Sequence, residues 1–171
     1  PTIGGSILET VSYVCDGDGL TQRGVNYNSV AVTAAQELTG SPALVTGSEI
    51  SYTPPTGTKT VIYEFRFTDA RSADSGNGVL WHGSIWLAGV EVFYSRVTKY
   101  ANGGDSIVMK WAFPIGGTAN TNTGRVASWT SAKTILMKAR EYTSSSYATK
   151  FHQTRYWNGQ ASNQLSLPMV T

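Results

Sequence analysis

Ser51-Tyr-Thr-Pro-Pro-Thr-Gly-Thr-Lys-Thr-Val-Ile-Tyr-Glu-Phe-Arg-Phe67 reads as a proline turn feeding a strand. Pro54 and Pro55 fix φ and withhold their N–H groups, so the chain bends there and cannot sit inside a ladder. Gly57 supplies the freedom to complete the turn. From Val61 onward Val61, Tyr63, Phe65 and Phe67 share one face, while Ile62, Glu64, Arg66 and Thr68 share the other. That period-2 alternation belongs to a strand with one buried side, the kind found in antiparallel sandwiches and barrels.

Outward from this stretch the same signals recur. Residues 79–94 read as two strands joined at Ala88-Gly89, the first setting Leu80, His82, Ser84, Trp86 and Ala88 against Trp81, Gly83, Ile85 and Leu87. Residues 107–115 place Ile107, Met109, Trp111, Phe113 and Ile115 on one face. Residues 132–142 set Ile135, Met137, Ala139 and Glu141 against Leu136, Lys138 and Arg140, and residues 148–157 align Phe151, Gln153, Arg155 and Trp157. Residues 25–32 and 165–170 add strands, and residues 44–50 a strand interrupted by a glycine turn. Residues 3–14 fit a strand or a short helix equally, and Thr33-Ala-Ala-Gln-Glu-Leu38 has a short helical look. Turns fall at 101–105, 143–146 and 158–163, and long polar loops at 69–78 and 116–124. The expected fold is all-β, an antiparallel jelly-roll-like sandwich of about eight to ten strands in a single domain over residues 1–171. The chain opens on Pro1 and stops at Met169-Val-Thr171 inside a strand, so both ends look cut from something longer.

Only 14% of the 171 residues are charged, which leaves the surface to Ser, Thr, Asn and Gly. A net charge of +2 with no run of Lys or Arg excludes the basic stripe of a nucleic-acid binder. No apolar run is long enough to insert in a membrane as a helix, and no signal peptide is visible. The single Cys15 rules out an internal disulfide or a multi-cysteine metal site and reads as a small buried hydrophobe.

Chemistry is scarce. Asp16-Gly-Asp-Gly19 opens like a calcium loop, but residues 20–27 lack the further oxygen ligands and closing Glu, so it reads as a turn. His82 and His152 stand alone on separate strands and read as hydrogen-bonded strand histidines. Gly83-Ser84 lies mid-strand without a nucleophile-elbow context. Glu64, Glu91 and Glu141 are the strand-borne acids a glycosidase would need, and each reads better as a partner for a cross-strand cation such as Arg66, Lys138 or Arg140. No catalytic residue, cofactor or metal site is expected. Aromatic residues are the one class suited to binding, through stacking on sugar rings or at a subunit interface. The candidate ligand-binding residues are Trp81, Trp86, Trp129, Tyr156 and Trp157, with loops 69–78 and 116–124 framing a shallow site. Trp111 reads as core.

The segment Ile50-Ser-Tyr-Thr-Pro-Pro-Thr-Gly-Thr-Lys-Thr-Val-Ile-Tyr-Glu-Phe65 resembles the Pro-Pro-x-Gly lead-in strand of bacteriophage and other virus surface proteins. Together with Gly116-Gly-Thr, Gly124-Arg, Ala127-Ser-Trp-Thr-Ser-Ala-Lys-Thr-Ile-Leu136 and His152-Gln-Thr-Arg-Tyr-Trp-Asn-Gly159, it is similar to domains at the distal ends of head or tail fibres and to capsid decorations. The resemblance implies a non-enzymatic virion structural protein at the particle surface. It also implies a homotrimer that contacts other virion proteins and touches a host surface glycan. The rival expectation is a carbohydrate-binding module of a secreted protein, which would act as a monomer.

Overall fold

The alternation that defines residues 61–67 extends over twelve residues, Thr60–Arg71, and this strand is the axis of the first of two six-stranded sheets in the computed structural model, which two two-stranded ribbons accompany among the described residues. The structure describes residues 6–71, 78–142, 147–155 and 163–171. Within them the strands are β1 (Tyr13–Val14), β2 (Leu20–Gln22), β3 (Val25–Tyr27), β4 (Gln36–Glu37), β5 (Ala43–Leu44), β6 (Ile50–Tyr52), β7 (Thr60–Arg71) and β8 (Val79–Leu87). They continue with β9 (Val90–Glu91), β10 (Val97–Ala101), β11 (Ser106–Pro114), β12 (Lys133–Glu141), β13 (Thr149–Phe151), β14 (Gln153–Arg155), β15 (Asn163–Leu165) and β16 (Met169–Val170). Four long strands, β7, β8, β11 and β12, correspond to the strongest alternations in the sequence. The rest are two to five residues long, which is why the strand count exceeds the eight to ten expected.

In the first sheet β7 pairs along its length with β11 on one edge, and on the other with β16 and then β13; β1 and β4 complete that edge. In the second, β8 lies between β12 and the pair β9 and β10, while β12 carries β6 and β5 on its far side. All these pairings are antiparallel. The β8–β9 connection is the two-residue hairpin the sequence marks, with Ala88 at φ 49 and Gly89 at φ 81, the paired positive φ of a turn matched to strand twist.

The two sheets close on one core. Tyr63, Phe65 and Phe67 of β7 are buried, as are Trp81 and Ile85 of β8 and Ile135 and Met137 of β12. Phe67 meets Phe151 at 4.7 Å and Trp81 at 6.0 Å between ring centroids, so first-sheet rings touch second-sheet rings directly. Tyr63 Oη donates to the Ser48 carbonyl at 2.5 Å, and Ser48 Oγ accepts from the Met137 N–H at 3.0 Å, tying β7 to β12 through one buried serine. The fold is therefore the antiparallel sandwich the alternation predicts.

Several local expectations change. Residues 33–38 form no helix: Gln36–Glu37 is a strand paired with β13, and the Leu38 N–H bonds the Thr149 carbonyl, so tertiary pairing overrides local propensity. The 69–78 loop loses its first three residues to β7. Asp69 keeps the inward phase of Phe65 and Phe67 and is fully buried, where it accepts from Trp81 Nε1 at 3.0 Å, Lys99 Nζ at 2.8 Å and the Asp105 N–H at 3.2 Å. The strand expected over 148–157 breaks at His152, whose φ of 64 turns the chain from β13 to β14. Its side chain is buried, and among the described residues neither ring nitrogen reaches a partner at hydrogen-bonding geometry, contrary to the hydrogen-bonded histidine expected. Burial pushes its pKa down to about 4, against a smaller opposing contribution from the Thr46 backbone. The turns expected at 143–146 and over most of 158–163 lie outside the described residues.

Candidate functional site

Each long strand of the second sheet has one face in the core and one facing out, so the outward face is written in alternate residues. On β8 these are Leu80, His82, Ser84 and Trp86; on β12 they are Leu136, Lys138, Arg140 and then Tyr142 just beyond the strand. Register sets His82 opposite Arg140, Ser84 opposite Lys138 and Trp86 opposite Leu136. On the other side of β8, Thr98 lies opposite His82 and Glu91 opposite Trp86. A groove of about 360 Å³ runs over this face, with His82, Ser84, Trp86, Lys138 and Arg140 among the residues that line it.

The polar groups in the groove are held on rigid elements. Glu91 accepts from Arg96 Nε at 3.0 Å and Nη2 at 2.5 Å, a bidentate pair whose guanidinium also lies 4.1 Å above the Phe93 ring. Those hydrogen bonds hold the Glu91 carboxyl below its ordinary value. Trp86 Nε1 donates to Ser84 Oγ at 3.0 Å, and the Lys138 ammonium sits 3.9 Å from the centre of the Trp86 ring. His82 Nδ1 lies 3.4 Å from Thr98 Oγ1, and partial burial together with Arg140 and Arg96 lowers its pKa.

Charge is distributed unevenly across the molecule. Arg96, Lys138 and Arg140 line the groove against the single acid Glu91, a net +2. The whole chain carries 13 basic and 11 acidic side chains, so the 10 of each outside the groove cancel and the groove holds the entire excess. Among the described residues, neither Lys138 nor Arg140 forms an ion pair. At one end of the same face Tyr100, Tyr142 and Tyr147 cluster, with Tyr147 edge-on to Tyr100 at 5.8 Å and to Tyr142 at 6.1 Å. Tyr100 is 68% and Tyr142 65% exposed, so their rings present open apolar area to solvent.

The sequence-derived candidates separate cleanly. Trp86 lies in the groove and is half-buried. Trp81 is 1% exposed and spends its indole N–H on Asp69; Trp129 is 5% exposed, donates to the Tyr52 carbonyl at 3.0 Å and packs edge-on to Phe113. Both are core residues with no ring face open to a ligand. Trp111 packs against the core as expected and anchors the 116–124 loop by donating to the Thr123 carbonyl at 2.9 Å. Tyr156 and Trp157 lie outside the described residues, as do positions 72–77 of the first proposed loop. The three glutamates face three different places. Glu64 pairs with Lys110 at 3.2 Å on the outer face of the first sheet, Glu91 borders the groove, and Glu141 is buried and accepts from the Thr149 N–H at 3.1 Å. Sequence reasoning did not single out His82, Lys138 and Arg140 together, although the period-2 phase of both strands places each on the outward face.

The 16–19 segment is a turn, with the Asp18 N–H bonded to Asp16 Oδ1 at 3.0 Å, and among the described residues no group of three or more His, Cys, Asp or Glu is placed to hold a metal. No described helix is long and apolar enough to cross a membrane.

No protein-family model matches the chain. No curated protein matches it. Among solved structures the chain is similar to the C-terminal domain of EclA, described as a sugar-binding protein, at 11% identity and a TM-score of 0.40 over 71% of this chain and 75% of that one.

Proposed function

We propose that this domain is a non-catalytic glycan-recognition domain that binds through the outer face of its second sheet. The observation that carries the reading is the groove itself, built on β8 and β12 and holding a half-buried indole, a bidentate Arg–Glu pair, a histidine and two further cations. Planar hydrogen-bonding groups beside aromatic surface suit the alternating polar edges and apolar faces of a sugar ring, and strands hold them more firmly than loops would. The exposed Tyr100 and Tyr142 extend the aromatic surface beyond the groove for a ligand longer than one residue.

The setting we propose is the surface of a virion, in a fibre or capsid decoration, on the strength of the resemblance in residues 50–65, 116–136 and 152–159. The outer face of the first sheet favours self-association. Register lines up Val14, Met169, Arg66 and Val108 across four strands, and Val108 and Ile62 are 50% and 58% exposed. Exposed apolar residues on this face flank the charged Arg66, Glu64 and Lys110, and a homotrimer would cover them.

A glycan array probed with the wild-type domain and with Trp86→Ala and Tyr100→Ala/Tyr142→Ala tests the binding role. Retention of a glycan that the substitutions weaken about tenfold or more supports it; retention of none, or retention indifferent to both variants, overturns it. Light scattering tests the setting: a stable trimer supports the fibre reading, and a monomer at all concentrations favours the module of a secreted protein.

A further inference from the structure

Deepening the glycan-recognition reading on which it rests, we infer that the groove receives the anionic group of an acidic saccharide, a carboxylate or sulfate, between Lys138 and Arg140 of β12 and His82 of β8. Three observations converge there. Lys138 and Arg140 are two residues apart on one strand and lie on the same outward face, and neither forms an ion pair among the described residues. Two like charges left unpaired on one face are free to answer an anion from outside the chain. Lys138 is held over the Trp86 ring, and the neighbouring Arg96 is already neutralised by Glu91, so the unanswered charge is confined to Lys138 and Arg140. His82 stands opposite Arg140 in the ladder, with Thr98 Oγ1 at 3.4 Å on its other side.

The histidine makes the site report on its own occupancy. The groups facing His82 are Arg140 from β12, Arg96 ahead of β10, Glu91 from β9 and Thr98 from β10. In the free domain partial burial, and after it the two arginines, favour the neutral ring against a smaller opposing effect of Glu91. An anion offsets part of that positive charge, so it raises the pKa of His82 and in turn binds more tightly to the protonated form. Binding therefore strengthens as pH falls through the titration of His82.

The test follows the His82 ring by NMR through a pH titration of the wild-type domain and of Lys138→Ala/Arg140→Ala, in sodium sulfate, in sodium glucuronate and in sodium chloride at matched ionic strength. The expected result is a saturable upward shift of the His82 titration, by about half a pH unit or more, with sulfate or glucuronate and not with chloride. It disappears in the double variant, while resonances of the buried core stay in place. Sulfate and glucuronate responses separately identify which anion the groove takes. A titration identical in all three salts, or a shift that survives the double variant, overturns the inference. An array carrying uronate-bearing, sulfated and neutral glycans separates the two readings. Retention of neutral glycans alone, lost in Trp86→Ala, overturns the acidic class and leaves glycan recognition standing; retention of no glycan overturns recognition and, with it, the saccharide part of this inference.

Discussion

Two clusters of charge share strand β8 and its neighbours, yet they are opposites. At Asp69 the carboxylate is fully buried and every contact is answered from within the chain: the Trp81 indole, the Lys99 ammonium and the Asp105 N–H surround it, and Lys99 reaches Asp105 Oδ2 at 2.8 Å as well. In the groove, Lys138 and Arg140 lean on an aromatic ring and a distant carbonyl, Gly40 at 3.5 Å from Arg140 Nη1, and neither forms an ion pair among the described residues. A closed charge cluster locks architecture, because leaving any member unpaired in the interior is costly. An open one does little for the fold and is free to answer something outside it. Alternating residues of β8 serve both ends of this contrast, with Trp81 turned inward to Asp69 and His82 turned outward to the groove.

The contrast breaks first at Asp69. Asp69→Ala strands the part-buried Lys99 and the Trp81 N–H, and the expected loss is about 3 kcal/mol of unfolding free energy in urea melts, with glycan or anion binding unchanged in the fraction that folds. Binding that collapses in folded protein would show that the two clusters are coupled.

Next comes His152, buried without a ring hydrogen-bond partner among the described residues. Its folded pKa of about 4 lies below the ordinary histidine value near 6.5, so the unfolded chain takes up a proton before the folded one does. Stability is fully present above about pH 6.5 and falls as pH drops toward 4, by about 2 kcal/mol between pH 6.5 and 5. The buried Glu141 carboxyl, raised by desolvation, works in the opposite sense and gains stability as pH falls. Unfolding measured at both pH values should therefore show an acid loss that His152→Leu removes; an unchanged loss in the variant would assign it elsewhere.

The groove predicts the reverse pattern. Arg140→Ala should move stability by less than about 0.5 kcal/mol, since it forms no ion pair among the described residues, while weakening anion or glycan binding about tenfold. A large stability loss would show that the groove is structural after all. The smallest effect belongs to Glu64→Gln: its bridge to Lys110 is solvent-exposed on both sides, and thermal melts should place the change within about 0.5 kcal/mol.

How much of this was legible in the sequence follows the same division. The β7 alternation, the Ala88-Gly89 hairpin and the apolar face of β11 are local patterns, and a period of two reports them without help from the rest of the chain. Asp69 was hidden because composition marked residues 69–78 as a loop, whereas the buried phase of β7 simply runs on into its first polar residue. The groove was hidden differently. Each polar stripe can be read on its own, His82, Ser84 and Trp86 on one strand and Lys138 and Arg140 on another, but it is the pairing register that sets Arg140 beside His82, and register is fixed by long-range packing. The tryptophans show the limit of composition: Trp81, Trp86 and Trp129 look alike in sequence, and only strand phase and neighbouring acceptors put two in the core and one in the groove.

The lone thiol gives this fold a chemical clock. Cys15 is wholly buried, its Sγ–H donates to the Gly47 carbonyl at 3.2 Å, and burial pushes its pKa up to about 11, so almost no reactive thiolate is available while the domain is closed. It follows directly on β1, the short strand that caps the edge of the first sheet through β16, and its N–H bonds the Pro168 carbonyl. A thiol reagent can therefore mark the protein only when the structure around that edge opens, and the labelling rate of an otherwise unmodified domain reports how often, or for what fraction of the time, it does so.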